Sequence, residues 1–393
     1  MNAVPVSAVA SRLRPFGTTI FAEMSALAAE LGAINLGQGF PDSDGPREVL
    51  DIAINSINGG LNQYPPGNGM QVLREAIAQH QERFYGVSYN ANTEVIVTAG
   101  ATEAIAGALL GLLEPGDEVI LFEPMYDSYQ ACIALAGAVS VPILLEPPTY
   151  RPNISALESA ITPRTKILLI NSPHNPTGML LTREEQKLIA RIAVKHNLII
   201  LSDEVYEHLV FDGYRHASIA EIPEARNRTV VISSGGKTFN TTGWKVGWAV
   251  GPEHLIAGVR SAKQFLTYVN AAPFQPAIAH GLSMPDSYFL ELAKNLENRR
   301  NQLCAVLEET GFHYFPSSAT YFVTADIRNI HPDGDGREFC LRLAREAGVV
   351  AIPNVVFYTP QHAHHGKHLV RFAFCKQETV ISEAAQRLRN WVQ

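Results

Sequence analysis

Two hydrophobic periods alternate along most of this chain. Near-continuous apolar runs read as strands in EVIVTAG (94–100), EVILFEP (118–124), VSVPILL (139–145), KILLIN (166–171), LIILSDE (198–204), TVVISS (229–234) and VGWAVG (246–251). Between them, apolar residues three or four apart predict helices over Thr102–Leu113, Tyr126–Leu135 and Thr182–His196. Thr182 and Glu185 form a capping box for the last of these, with Leu188, Ile189, Ile192 and Ala193 on its buried face. A helix is also expected from Val72 to Gly86. Another, Thr18–Leu31, would bury Ile20, Phe21, Met24, Leu27, Ala28 and Leu31 and stop at Gly32. Strands apolar on both faces, separated by amphipathic helices, imply an α/β fold: a large domain whose mostly parallel, seven-stranded sheet lies between helices.

After about residue 275 the texture changes. A helix over Ser287–Glu309 leads to TYFVTAD, a helix over Glu338–Ala347, the runs GVVAIP and LVRFAF, and a last helix from Gln377. This mixture indicates a smaller α+β domain. The expected division is 46–275 for the large domain, with 1–45 and 276–393 forming the small one.

Composition narrows the possibilities. The 393 residues are 18% charged and 46% hydrophobic, the balance of a compact soluble protein. A net charge of −7 without a basic run gives no footprint for nucleic acid or an anionic membrane. The Ala3–Ala10 stretch is a poor signal peptide, interrupted by Pro5 and lacking a basic start, and no run is long enough to span a bilayer. A cytoplasmic protein is expected. Cys132, Cys304, Cys340 and Cys375 are widely separated and read as buried reduced thiols. The His362, His364, His365, His368 cluster lacks a second ligand group and reads as a solvated loop. In Asp333-Gly-Asp-Gly-Arg337 an arginine stands where a calcium ligand belongs, so that stretch reads as a turn. No metal is expected.

The segment SSGGKTFNTTGWKVGW (233–248) contains Gly236-Lys237-Thr238, the tail of a P-loop, but position 231 is valine and the segment runs into a strand rather than a helix. Its lysines need other chemistry. In open α/β sheets ligands bind beyond the carboxyl ends of the strands. Those ends carry Gly100, Ala101 and Thr102; Tyr126; Asn175; Asp203 and Tyr206; and Ser234, Lys237 and Lys245. Each has an ordinary structural reading as a turn glycine, an Asx turn, a helix cap or a core aromatic. Together they match the needs of pyridoxal 5′-phosphate. Lys237 supplies an amine for the aldehyde, and Asp203 an anion that keeps the pyridine nitrogen protonated. Asn175 and Tyr206 suit the 3-oxygen, and Tyr126 suits the ring face. Gly100, Ala101, Thr102, Ser234 and Lys245 suit the phosphate.

In SSGGKTFNTTGWKVGW, NSPHNPTG, SDEVYEH, TAGATEA, NLGQGFPD and HLVRFAF the chain resembles the class I/II, fold type I aminotransferases over essentially its whole length. GTTIFAEMSALA, NQYPPGNG and APFQPA are similar to the actinobacterial N-succinyldiaminopimelate aminotransferases, beside the kynurenine, glutamine and methionine branch. The resemblance implies that Lys237 is the Schiff-base lysine and that Arg371, assisted by Asn175 and the backbone at Gly37, clamps the substrate α-carboxylate. It implies that Tyr64 reaches the phosphate of a neighbouring subunit, hence a homodimer with shared sites. It also implies amino transfer from an L-amino acid to a 2-oxo acid, with 2-oxoglutarate as the expected acceptor. Lys245 stands where many members have arginine, and Thr102 where some have an aromatic. Phe16, Phe40, Tyr64, Tyr126, Tyr268, Tyr321 and Phe357 are candidates for the side-chain pocket. N-succinyl-LL-diaminopimelate is the expected donor. Methionine, aromatic or kynurenine donors, a cysteine-conjugate β-lyase and a non-catalytic binding module are the alternatives.

Overall fold

The computed structural model describes residues 9–17 and 19–392, so Thr18 and most of the Ala3–Ala10 stretch lie outside the described residues. The large sheet consists of β1 (Val95–Ala99), β2 (Glu118–Glu123), β3 (Val139–Leu144), β4 (Thr165–Asn171), β5 (Ile199–Asp203), β6 (Thr229–Ser234) and β7 (Val246–Val250). Their order is β1-β7-β6-β5-β4-β2-β3. All neighbours from β6 to β3 are parallel, while β7 runs against both β1 and β6. Every residue of β2, β6 and β7 is buried, which is why each is centred on an apolar run.

Both faces are covered. Helices Gly100–Leu112 and Glu253–Leu266 place Ile105, Leu109, Ile256 and Val259 on one. On the other, helix Arg183–Lys195 contributes Ile189 and Ile192, and helix Gln71–Tyr85 contributes Leu73 and Ile77. The capping box of helix Arg183–Lys195 forms as expected, but Leu188 is exposed; Gln186 and Ala190 occupy the buried face instead. Helix Gln275–Leu282 also packs its Ala277, Ile278 and Leu282 into the core beneath β1, β6 and β7.

The second sheet comprises β8 (His313–Phe315), β9 (Phe322–Asp326), β10 (Ile352–Pro353) and β11 (Leu369–Ala373), in the antiparallel order β10-β11-β9-β8. The N-terminal segment joins this part of the chain. Helix Ile20–Leu31, capped by the Thr19 side chain and ended by Gly32 at φ +58°, buries Met24 and Ala28, though Leu31 is exposed. Ile34–Asn35 then pairs in parallel with Val349–Val350. The 24-residue helix Asp286–Glu309 links the two cores: Phe289 packs under the large sheet, and Leu296, Leu303 and Leu307 under the small one.

All four cysteines are buried and free. Asp335, in the expected turn, caps helix Gly336–Glu346 by accepting from Glu338 N–H at 2.8 Å. The histidine run is not wholly solvated, because His362 Nδ1 lies 2.5 Å from Oε2 of the fully buried Glu123. Among the described residues no helix is long and apolar enough to cross a membrane.

Candidate active site

The carboxyl ends of β1, β4, β5 and β6 and the turn before β7 open onto one cavity of about 380 Å³. That lies within the roughly 300–1,000 Å³ of small-molecule sites. Gly100, Ala101, Thr102, Tyr126, Asn175, Asp203, Tyr206, Ser234, Lys237, Lys245 and Arg371 all line it. Two expected residues do not. Gly37 stands behind the wall, and Tyr64 is 83% exposed at the surface, its ring 5.9 Å from that of Tyr268.

Asp203 ends β5 in the middle of the sheet and is buried. Burial pushes its carboxyl up to about 6, against the hydrogen bonds from Tyr129 Oη at 2.7 Å and Val205 N–H at 3.2 Å. Lys237 sits on the single helical turn Gly235–Thr238 that follows β6. Removal from water pulls its ammonium down to about 8, against the attraction of Cys375 and Asp203. A lysine so placed loses its proton far more readily than one in water.

The chain passes from β6 through the short turn Thr242–Trp244 into β7, which returns beside it. Lys245 closes that turn at φ +52°, with its carbonyl held by Asn270 Nδ2 at 2.8 Å. The left-handed conformation aims its side chain across at Gly100, which opens helix Gly100–Leu112 at φ +73°. A Cβ at Gly100 would stand 3.0 Å from Lys245 Nζ, and one at Gly247 would run into the Gly100 backbone. The two glycines therefore let a cation, a helix N-terminus and the hydroxyl-bearing Thr102 approach one spot, and among the described residues no carboxylate pairs with Lys245. This is an anion cradle.

Arg371, in β11, is buried at 2% exposure. Its Nη1 donates to Asn175 Oδ1 at 2.8 Å and its Nη2 to the Gly37 carbonyl at 3.2 Å, while Nε has no partner among the described residues. The guanidinium lies 3.8 Å from the Phe322 ring centroid and 4.6 Å from that of Phe357, and burial draws it down to about 10. Gly37 thus acts on the arginine through its carbonyl, and its own N–H is taken by Asn35 Oδ1 at 3.0 Å.

Tyr126 stands edge-on to Tyr129 with ring centroids 5.6 Å apart, and burial pushes its phenol up to about 12. Of the side-chain pocket candidates, Phe40 and Tyr126 line the cavity. Phe16 and Tyr268 are exposed away from it, Phe357 lies under Arg371, and Tyr321 reaches Lys237 from below. Thr19, Phe21, Gln38, Asp127 and Phe322 also line the cavity. Sequence reasoning passed over Asn171, whose side chain donates to the Asp203 carbonyl at 2.9 Å and accepts from Asn175 N–H at 2.8 Å. It also passed over Tyr129. A polar residue ending a buried strand, and a tyrosine three positions along a helix from Tyr126, were the available signals.

Outside the cavity, His80, Glu207 and His208 bring three metal-type ligand atoms together. The two ring Nε2 atoms are 2.7 Å apart and share a hydrogen bond, and burial drives His80 down to about 3 and His208 well below the usual range. Glu207 accepts from Tyr85 and Ser233, and burial lifts it to about 7. Arg83 adds positive charge beside the histidines. This geometry suits a pair of neutral rings better than a cation.

Comparison with known proteins agrees with the cavity. A family model for class I and II aminotransferases matches residues 32–388. A probable N-succinyldiaminopimelate aminotransferase of Mycobacterium tuberculosis is 53% identical over 386 residues, covering 96% of this chain and 97% of that one. A methionine aminotransferase of Escherichia coli is 41% identical over 380 residues, covering 97% of each. The solved N-succinyldiaminopimelate aminotransferase from Mycobacterium tuberculosis superimposes with a TM-score of 0.95 at 52% identity, over 98% of this chain and 100% of that one.

Proposed function

The chain belongs to the class I and II aminotransferases, and from that premise we propose a residue-level account of its site and a donor for its reaction. It has the fold type I architecture, uses pyridoxal 5′-phosphate, and transfers an amino group between an amino acid and a 2-oxo acid. The bound cofactor supplies an electron sink and carries the amino group between substrates.

The residues fit that group. Lys237 is the amine for the aldehyde. Asp203, buried and without a cationic hydrogen-bond partner of its own, is suited to a protonated ring nitrogen, and that pairing would return its carboxyl to the ionised form. Asn175 and Tyr206 would serve the 3-oxygen and Tyr126 the ring face, while Gly100, Ala101, Thr102, Ser234 and Lys245 would hold the phosphate. Arg371 orients the substrate through its α-carboxylate, with the guanidinium pre-set by Asn175 and Gly37. Lys237 Nζ, once neutral, is the group that would take and hold the proton released from the substrate Cα. A downward shift to about 8 keeps a useful fraction unprotonated near neutral pH.

The large part of the chain, expected over 46–275 and continued by helix Gln275–Leu282, carries the cofactor; residues 1–45 and the rest of 276–393 bring Arg371 and the mouth of the cavity. A homodimer would place the exposed Tyr64 of one subunit at the other's phosphate. N-succinyl-LL-diaminopimelate is the donor and 2-oxoglutarate the acceptor. The observation that carries this choice is the 53% identity to the mycobacterial protein. Methionine or aromatic donors form a second reading, favoured by the rings of Phe21, Phe40 and Phe322 around the cavity. Initial rates for N-succinyl-LL-diaminopimelate, methionine, kynurenine and phenylalanine with 2-oxoglutarate decide between them. A kcat/KM for methionine above that for the succinylated donor removes the first reading. Lys237→Ala turning over at the wild-type rate removes the site assignment.

A further inference from the structure

Tyr321 carries a buried hydroxyl beneath the cavity, where it meets the Tyr206 hydroxyl and makes two further contacts that differ in kind. Lys237 Nζ donates to Tyr321 Oη at 3.0 Å, and Tyr321 Oη donates to the Gly39 carbonyl at 2.6 Å. A hydroxyl has one proton. Because the short bond to Gly39 takes that proton, Tyr321 can only accept from the lysine. One N–H of Lys237 is then tethered beneath the cavity, so the lone pair and the remaining N–H both point away from Tyr321.

A second observation concerns how the ring is held. Thr320, immediately before it, sits at φ +69°, a conformation that β-branched residues rarely adopt. It is pinned by Thr320 N–H to the Leu209 carbonyl at 2.8 Å, Phe322 N–H to Thr320 Oγ1 at 3.2 Å, and the bridge between Val210 and Ala319. The unfavourable turn directs the Tyr321 ring at Tyr206, whose centroid is 5.2 Å away, and at the lysine. Without it, the start of β9 would carry the side chain elsewhere.

We propose that Tyr321 is a positioning residue for Lys237: its hydroxyl, oriented by the Gly39 carbonyl, holds the free amine with its lone pair facing the substrate Cα. The proposal rests on Lys237 being the proton-transferring amine. Gly39 lies two residues from Gly37, whose carbonyl holds Arg371, so one stretch of the N-terminal loop sets both the amine and the carboxylate clamp. Besides Tyr321, Cys375, Asp203, Lys245 and Arg371 act on Lys237 through their charge and the Tyr206 ring lies 5.7 Å from its Nζ, but none of them is hydrogen-bonded to it.

Tyr321→Phe tests this while keeping the ring and its packing. In the apoenzyme, acetylation of Lys237 by acetic anhydride is followed across pH by peptide mass. Loss of an acceptor that favours the ammonium form should move the titration midpoint down by roughly half a pH unit. In the holoenzyme kcat should fall roughly tenfold or more with KM almost unchanged, and the isotope effect on a Cα-deuterated donor should rise. Tyr321→Phe with the wild-type midpoint, kcat and isotope effect overturns the proposal and leaves Lys237 in its role. A loss confined to KM or to cofactor affinity also overturns it, since that is what a merely space-filling tyrosine would give. Lys237→Ala that still turns over overturns this proposal together with the site assignment.

Discussion

Arg371→Lys separates charge from geometry at the base of the cavity. The native guanidinium spends Nη1 on Asn175 and Nη2 on Gly37, lies over the ring 3.8 Å from the centre of Phe322, and keeps its Nε hydrogen without a partner among the described residues. A carboxylate approaching its open edge gains two parallel charge-assisted bonds. Lysine keeps the positive charge but presents a single nitrogen and cannot stack. Losing one such bond removes roughly 1.5–3 kcal/mol, and weaker cation–π contact adds up to about 1 kcal/mol. At about 1.4 kcal/mol per decade, kcat/KM should drop roughly 10- to 700-fold. The loss should sit in KM, because the carboxylate is held alike before and during proton transfer. It should deepen at alkaline pH. Burial that draws arginine down to about 10 leaves it charged at neutrality, whereas a lysine under the same pressure sheds its proton sooner. Initial-rate kinetics over donor concentration and pH measure this, with the cofactor absorbance as a control for an intact site. A kcat/KM within about threefold of wild type, or a loss confined to kcat, would refute the clamp.

Other outcomes follow from the same geometry. Asp203 has a folded-state value of about 6 against an ordinary 3.8, so the apoprotein loses stability as pH rises between those values, by about 3 kcal/mol in all. Apo Asp203→Asn should therefore melt higher than wild type at pH 7.5 and equally at pH 3.5, while binding the cofactor more weakly; equal melting at pH 7.5 would contradict the burial argument. Lys245→Ala should weaken cofactor binding roughly 10- to 100-fold and flatten its salt dependence, as measured by fluorescence titration of the apoenzyme. Gly100→Ala should do similar harm while keeping the charge, since the new methyl meets both a left-handed backbone and the Lys245 ammonium. Mixing inactive Lys237→Ala and Tyr64→Ala subunits should restore turnover that neither shows alone, and its absence would argue against sites shared across a dimer.

Strand positions were readable because β2, β5 and β6 are almost wholly buried, and each is centred on three consecutive or nearly consecutive Val, Ile and Leu residues. Their carboxyl ends then pointed to the polar residues of the cavity. Helices with strong boundary signals, such as Arg183–Lys195 with its capping box, were equally plain. The helices Arg47–Asn58, Glu253–Leu266 and Gln275–Leu282 were not anticipated. The first lacks a side-chain N-cap, the second contains Gly258, and the third begins next to Pro276 and ends through Gly281, so local propensity argues against what tertiary packing imposes. Tyr321 was legible as an aromatic near the pocket, but its hydroxyl contacts depend on the Thr320 turn and on Gly39, which is 282 positions away along the chain. Leu188 misled for the opposite reason: its spacing fits the apolar stripe, yet the stripe is filled by Gln186 and Ala190.

The reversed direction of β7 has a wider meaning for how this site can change. Because the strand turns back at once, the eleven residues from Gly235 to Lys245 never leave one rim of the sheet, and the two lysines arrive there from opposite ends of a closed loop. Lengthening or shortening that loop would displace the covalent anchor and the phosphate cation together, with no way to repair one independently of the other. Variation among descendants of this chain is therefore freer at exposed Phe40 than at Gly37 and Gly39, whose carbonyls hold Arg371 and Tyr321, and an insertion between positions 237 and 245 should weaken cofactor retention at both lysines at once.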